Sequence, residues 1–261
     1  MADDFQLFCS GLHALVGVDL THYKRHQMER RARGMAARVG CEDLTKFLMI
    51  LRKEPAVLDD FMAKMTITVS QLWRNPEIFT VIGEELLPEL VQRKRPRKLS
   101  LWCAGCSYGA EPYTLAAVCI DQSKLLERPP LIVASDINPR MIERAREGRF
   151  SAEDARSAPD DLLRRHFTSL PDGSWQANDD LKAMISFRCE DLFGAPHKAV
   201  DLVLCRNVAI HFEADSRQRL HEILANSLVP GGMLVLGSTE MIVRPGELGL
   251  ERVRPFVFRK V

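Results

Sequence analysis

LSLWCAG (99–105) is the stretch on which the fold turns: an apolar run that ends in small residues and leads, through Cys106-Ser107-Tyr108-Gly109, into a helical pattern from about Glu111. Three more runs share its texture, LIVASD (131–136), DLVLCRN (201–207) and GMLVLGS (232–238). Short continuous apolar runs of this kind read as strands of a parallel sheet covered on both faces. Helical patterns at 111–127, 139–147 and 215–228 separate them. That alternation predicts an α/β domain with a doubly wound sheet. The stretch from His166 to Phe187 breaks the alternation. Within it, HFTSLPDGSWQAN (166–178) carries a Pro-Asp-Gly turn between two short segments, which predicts a β-hairpin subdomain inserted over about residues 160–187.

Toward the N-terminus the pattern changes. RKRPRK (93–98) holds five basic residues in six and a proline, and reads as a linker over 91–98. Before it the apolar spacing is helical: Phe5, Phe8, Leu12, Leu15 and Val16 follow the i, i+3, i+4 rule. Further helices are predicted from Thr21 to Val39, stopping at Gly40, from Glu42 to Leu51, and from Ala56 to Met65. The expected organisation is a helical domain over 1–90, the linker, and the α/β domain over 99–261. Met28, Met35 and Trp102 are expected to be packing residues, and Trp175 either a subdomain core residue or an exposed contact.

Composition bounds the function. The chain has 261 residues, 46% of them apolar, and 36 Lys+Arg against 35 Asp+Glu leave a net charge of +1. A near-neutral balance argues against a bulk polycation for nucleic acid. No apolar run reaches the roughly 18 residues of a membrane span, so no membrane insertion is expected. MADDFQLFCSG (1–11) lacks the basic and apolar regions of a secretory signal. Seven irregularly spaced cysteines do not make a disulfide framework, and Cys103-x-x-Cys106 has no second ligand pair for a metal. A cytoplasmic location with reduced thiols is expected.

In open α/β sheets ligands bind beyond the carboxyl ends of the strands. Three features fall there. The small residues Ala104 and Gly105, followed by a helix N-terminus, allow a ligand close to the backbone and favour an anionic group. Asp136 ends the second strand, 31 residues after Gly105, where an acid accepts hydrogen bonds from ribose hydroxyls. Arg206-Asn207-Val208 end a third strand. The G-x-G-x-x-G dinucleotide fingerprint is absent, which counts against a nicotinamide cofactor. Together the features fit a nucleoside with an amino-acid tail, S-adenosylmethionine. Plainer readings exist: Asp136 as a helix N-cap, Glu111 as a first-turn acid, Asn207 as a strand-end cap.

These residues carry a resemblance. LWCAGCSYGAEPYTLA (101–116), ASDINPRMIERAREGRF (134–150), LCRNVAIHFE (204–213), LVPGGMLVLGSTE (228–240) and MTITVSQLWRNPEIF (65–79), in this order, resemble the chemotaxis receptor glutamate methyltransferases of the CheR type over nearly the whole chain. The resemblance implies S-adenosylmethionine as donor, receptor glutamates as acceptors, and a three-stranded β-subdomain within the α/β domain. By position it implies that Glu111 takes the donor's amino group and Asp136 the ribose. Asp191 and Leu192 would line the adenine site, bordered by Asn207 and Val208, with Ala104 and Gly105 beneath the donor. Arg74 would sit near the donor carboxylate and the reacting centre, with Thr68 and Ser70 as the polar pair before it.

Some positions depart from the family pattern. Ala110 stands where the family has an acid, Thr68 and Ser70 replace Asn and Thr, and His211 replaces a tyrosine near the acceptor. Arg74 and His211 are the catalytic candidates. The departures leave open a member that binds the donor or a signalling partner without receptor methylation, or one with a different acceptor. SLPDGSWQ (169–176) is short with one glycine, so no tether to a receptor C-terminal pentapeptide is expected. Lys24, Arg31 and Arg38 are spaced i, i+7, i+14 on one face of a helix that holds six basic residues and one acid, Glu29, between 21 and 38. In the family that helix meets the acidic methylation helices of chemoreceptors.

Overall fold

The computed structural model describes residues 3–65, 70–93, 98–126, 128–194 and 199–261. Two compact units are present. The first comprises residues 1–67 together with 210–219, and the second 68–209 together with 220–261.

The first unit holds α1 (Asp4–Val16), α2 (Arg25–Arg38), α3 (Leu44–Lys53) and α4 (Pro55–Met65). Sequence sets their limits. Asp3 and Gln6 form a capping box at the start of α1, and Gly17, at φ +73°, ends it. Asp43 caps α3 by accepting from Thr45 N. Phe8, Phe47 and Phe61, from α1, α3 and α4, are fully buried and meet with ring centroids 5.5–6.0 Å apart. Gly11 lets α1 lie against α3: a Cβ there would fall 2.1 Å from Leu48 Cδ2. Met28 and Met35 are buried on the inner face of α2, as expected.

Residues 210–219 complete this unit. Tyr23 bridges Phe212, their rings 4.7 Å apart. Lys24 N–H donates to His211 O, Glu213 N–H to His22 O, and Arg25 N–H to the Glu213 carboxylate.

The second unit begins with α5 (Pro76–Val81) and α6 (Leu87–Gln92), joined by a π-helical turn over Ile82–Leu86. These helices belong with the α/β core and not with the first unit, so the expected boundary near residue 90 moves to about 67. Their apolar faces explain it: Phe79, Ile82, Leu86, Leu87 and Leu90 are buried in the same core as the strands. Of the expected linker, residues 94–97 lie outside the described residues.

The core is built from β1 (Ser100–Ala104), α7 (Ala110–Asp121), β2 (Leu131–Asp136) and α8 (Pro139–Glu147). A short strand β3 (Arg149–Phe150), helices α9 (Ala152–Ala155) and α10 (Asp160–His166), and strands β4 (Phe167–Ser169) and β5 (Trp175–Ala177) follow. Then come α11 (Asp179–Met184), β6 (Ile185–Cys189), β7 (Val200–Cys205), α12 (Ala214–Ser227), β8 (Leu228–Leu236), β9 (Leu250–Arg254) and β10 (Val257–Lys260).

Among the described residues the main sheet has seven strands in the order β6-β2-β1-β7-β8-β10-β9. It is parallel from β6 to β8, and β10 pairs antiparallel with β8 and β9. Every residue of β7 is buried, as a strand covered on both faces requires. The second, three-stranded sheet has the order β3-β5-β4. The expected hairpin is therefore β4–β5, joined by β3. The expectation erred at its far end, because 185–189 is not hairpin but the edge strand β6, parallel to β2. Its residues are half-buried or exposed, so the strand lacks the continuous apolar signature of its neighbours.

Candidate active site

In the second unit the carboxyl ends of β1, β2, β6 and β7 lie side by side. The turn after β1 is bound to β2: Gly105 and Cys106 N–H donate to Ser135 O at 2.8 and 2.9 Å. Gly105 and Ser107 adopt φ of +79° and +50°. Asp136, at the end of β2, accepts from Ser107 N (2.8 Å) at one oxygen and from Asn138 N (2.9 Å) at the other. Asn138, not Asp136, caps α8, accepting from Arg140 and Met141 N–H. The N-cap reading of Asp136 is thereby replaced. Burial raises the Asp136 pKa, against the backbone donors that lower it. Glu190 N–H donates to Asp136 O, which sets Asp191 and Leu192 directly beyond the same strand end.

Val208, after β7, covers Gly105 from the other side; a Cβ on Gly105 would lie 2.5 Å from Val208 Cγ2. Asn207 takes a left-handed conformation, φ +60°. The loop it opens is held by a residue that motif reading passed over. Glu240 is buried, and its carboxylate accepts four backbone N–H groups: Gly237 (2.7 Å), Asn207 (2.8 Å), Val208 (2.9 Å) and Ala209 (2.8 Å). Successive amides converging on one anion form a concave cradle. The only sequence signal was an acid placed just after a buried strand in LGSTE (236–240).

A second buried charge lies in the first turn of α7. The Glu111 carboxylate pairs with Arg206 Nη1 at 3.1 Å, the two side chains 12% and 4% exposed. Burial raises the Glu111 pKa, Arg206 and Arg74 lower it, and Glu240 raises it. Arg206 also donates from Nη2 to Arg74 O (2.8 Å) and Asn75 Oδ1 (3.0 Å), and its Cζ lies 5.3 Å from the centre of the Phe79 ring. The segment leading to Arg74 is fixed to the same core. Tyr108 donates its hydroxyl to Ser70 O, Leu72 N–H reaches Asp154 O, and Trp73 N–H reaches Thr114 Oγ1. Arg74 is half-buried.

The structure thus assembles Ser70, Arg74, Ala104, Gly105, Glu111, Asp136, Asp191, Leu192, Asn207 and Val208 within one unit. Thr68 lies outside the described residues. Lys24, Arg31, Arg38 and His211 fall in the first unit. There Lys24 precedes α2, Arg31 donates to Met65 O at 2.7 Å, and Arg38 is exposed. Arg25 and Arg33 are paired with Asp3, Asp4 and Glu29, which removes them from the free basic face. Burial lowers the His211 pKa, and the charges of Arg31 and Lys24 lower it further.

The donor set fits S-adenosylmethionine. Asp136 presents a carboxylate at the end of β2. Beside it the Ser107 hydroxyl is buried without a partner among the described residues. Gly105 leaves open the space a Cβ would fill, and Glu111 supplies a buried anion. An α/β sheet with strand-end acids so placed defines an S-adenosylmethionine-dependent methyltransferase fold. The chain belongs to the CheR methyltransferase family: the description "CheR methyltransferase, SAM binding domain" matches residues 68–253 and "CheR methyltransferase, all-alpha domain" residues 3–66.

The chain is 31% identical over 258 residues to a chemotaxis protein methyltransferase of Listeria innocua, covering 98% of this chain and 97% of that one. It is 28% identical over 247 residues to chemotaxis protein methyltransferase 1 of Pseudomonas aeruginosa, covering 92% and 90%. Among solved structures it is similar to the N-methyltransferase NodS from Bradyrhizobium japonicum in complex with S-adenosylhomocysteine (20% identity, TM-score 0.35, 62% of this chain and 60% of that one). It is also similar to the magnesium protoporphyrin IX methyltransferase of Synechocystis with bound S-adenosylmethionine (16%, TM-score 0.37, 74% and 83%). Among the described residues no helix is long and apolar enough to cross a membrane.

Proposed function

We propose that this protein transfers the methyl group of S-adenosylmethionine to glutamate side chains of chemoreceptor cytoplasmic domains, forming γ-glutamyl methyl esters in a chemotaxis pathway. The observation that carries the reading is the match to both parts of the family, helical and α/β, over nearly the full chain, joined to the buried acids Asp136 and Glu111 at the strand ends. When bound, the donor supplies an electrophilic methyl carbon on a sulfonium. Asp136 holds the ribose hydroxyls, Glu111 the amino group, and Asp191, Leu192, Asn207 and Val208 border the base. Ala104 and Gly105 let the ligand lie close on the backbone. Ser70 and Thr68, the polar pair that precedes Arg74 in sequence, are assigned to the donor site.

A glutamate carboxylate is ionised at neutral pH and needs no general base. The protein's part is alignment and removal of water from the nucleophile. Arg74 orients the incoming carboxylate. His211, which stands where the family has a tyrosine, is the second catalytic candidate. Lys24, Arg31 and Arg38 offer the acidic receptor helices a basic surface whose attraction weakens with salt.

The reading includes independence from a receptor pentapeptide tether. The β4–β5 connection is tight, with Leu170 N–H on Ser174 O and Gly173 N–H on Leu170 O. That leaves little loop to embrace an added strand. The test is labelled methyl transfer to receptor cytoplasmic fragments, followed by mild alkali. Label released as methanol, and lost when acceptor glutamates become alanine, supports the reading. Alkali-stable label, or donor binding with no transfer, overturns it. Calorimetry with a receptor C-terminal pentapeptide tests the tether separately; low-micromolar binding contradicts its absence.

A further inference from the structure

We propose that Arg206 is a positioning residue that ties the donor-binding carboxylate of Glu111 to the backbone segment carrying Arg74, so that one buried guanidinium holds both ends of the methyl-transfer site. This rests on the reading above that Glu111 takes the donor's amino group and Arg74 the acceptor.

The guanidinium reaches three chain segments. Arg206 directly follows β7, Glu111 lies in the first turn of α7, and Arg74-Asn75 precede α5. The Glu111 partner is 95 residues away in sequence and the Asn75 partner 131. Nη1 takes the carboxylate, Nη2 the Arg74 carbonyl and the Asn75 amide oxygen, and the Phe79 ring packs against the guanidinium carbon. A planar fork is suited to several acceptors lying in different directions, which a lysine ammonium on a flexible stem is not.

The segment needs such a hold. Trp73 and Asn75, on either side of Arg74, both have left-handed backbones, φ +52° and +60°. Non-glycine residues keep that conformation where their surroundings over-determine it. Trp73 is fixed by Thr114 on α7, and Asn75 and the Arg74 carbonyl by Arg206. The Arg74 side chain is thereby aimed from a peptide that Arg206 pins.

The same contact sets the charge around Glu111. Facing that carboxylate are the cations Arg206 and Arg74, the anion Glu240, and the buried thiols Cys103, Cys106 and Cys205. Without the Arg206 charge, a buried acid near another acid takes up a proton more readily. A protonated Glu111 binds an ammonium weakly.

The experiment uses the full chain, with S-adenosylhomocysteine titrated calorimetrically between about pH 6 and about pH 9 into wild type, Arg206→Gln, Arg206→Lys and Glu111→Gln. For Arg206→Gln the expected result is an affinity at least ~10-fold weaker than wild type near neutrality, the ratio to wild type at the same pH narrowing as pH rises and Glu111 ionises. For Arg206→Lys it is an affinity within about 3-fold of wild type with kcat lowered at least ~10-fold, because the charge remains and the fork is gone. Where the glutamine variant does not fold, the lysine variant decides. Unchanged kcat in it, or a wild-type pH profile in Arg206→Gln while Glu111→Gln loses donor binding, overturns the role of Arg206 and leaves that of Glu111 standing. Unchanged affinity in Glu111→Gln removes the donor reading of Glu111, and the proposal with it.

Discussion

Val208 lies over Gly105 so closely that a Cβ on Gly105 would sit 2.5 Å from Val208 Cγ2. Gly105 also holds φ +79°, a backbone that an L side chain rarely adopts. Gly105→Ala therefore combines strain with overpacking, and about 1–3 kcal/mol of stability is expected to be lost. Because Val208 must move, donor affinity is expected to fall as well. Urea denaturation and calorimetric titration of the same preparation check both; loss of stability without loss of affinity would separate Val208 from the donor site.

Glu240 serves four amides with two oxygens. Glu240→Gln keeps the volume but turns an NH2 group toward two of those donors. Each buried donor left without an acceptor costs about 1–3 kcal/mol. The loop 207–209 should loosen, raising KM for the donor while KM for the acceptor stays put. Steady-state kinetics with each substrate varied in turn measures this.

Asp136 has a folded-state pKa above its ordinary value of 3.8, with burial as the main cause. The folded protein then binds more protons than the unfolded chain just above that value, so this group's contribution to stability declines as pH rises through the folded pKa. Asp136→Asn carries no such decline. Its stability relative to wild type should shift in the variant's favour as pH rises above the ordinary carboxylate value toward the raised folded-state one, while its donor affinity drops by at least ~10-fold. Denaturation curves at several pH values give the first quantity and titration the second.

Gly11 in α1 has no room for a methyl group, since a Cβ would meet Leu48 Cδ2 at 2.1 Å and Cγ at 3.3 Å. Leu48 is itself buried. Gly11→Ala improves helix propensity by about 1 kcal/mol. Overpacking costs about 1–3 kcal/mol and should win, lowering the melting temperature. A variant more stable than wild type would show that Leu48 rotates away freely.

The strands β1, β2 and β7 were legible because each is an unbroken apolar run. Strands β6, β9 and β10 were not. ISFRC (185–189) and LERVR (250–254) carry charge and exposed positions, since β6 and β9 are sheet edges, and VFRK (257–260) is short with two charges. Asp136 and Glu111 could be read because a strand end and a helix start are local features. Arg206 with Arg74, and Glu240 with Asn207, could not, because those partners meet across 132 and 33 residues. Residues up to 90 read as part of a helical domain, but α5 and α6 were not placed and their allegiance was not visible. An apolar face records that a helix is buried and does not say against what.

The loan of residues 210–219 to the first unit has a consequence for how the chain is made. Helices α1–α4 lack the partners of Tyr23, Lys24 and His22 until the segment after β7 has been synthesised, because Phe212, His211 and Glu213 come after β7. Helices α1–α4 are translated before β7, yet their set of neighbours is completed only after it. A nascent chain arrested before residue 210 should show the helices without the Tyr23–Phe212 bridge, and release from arrest should complete it.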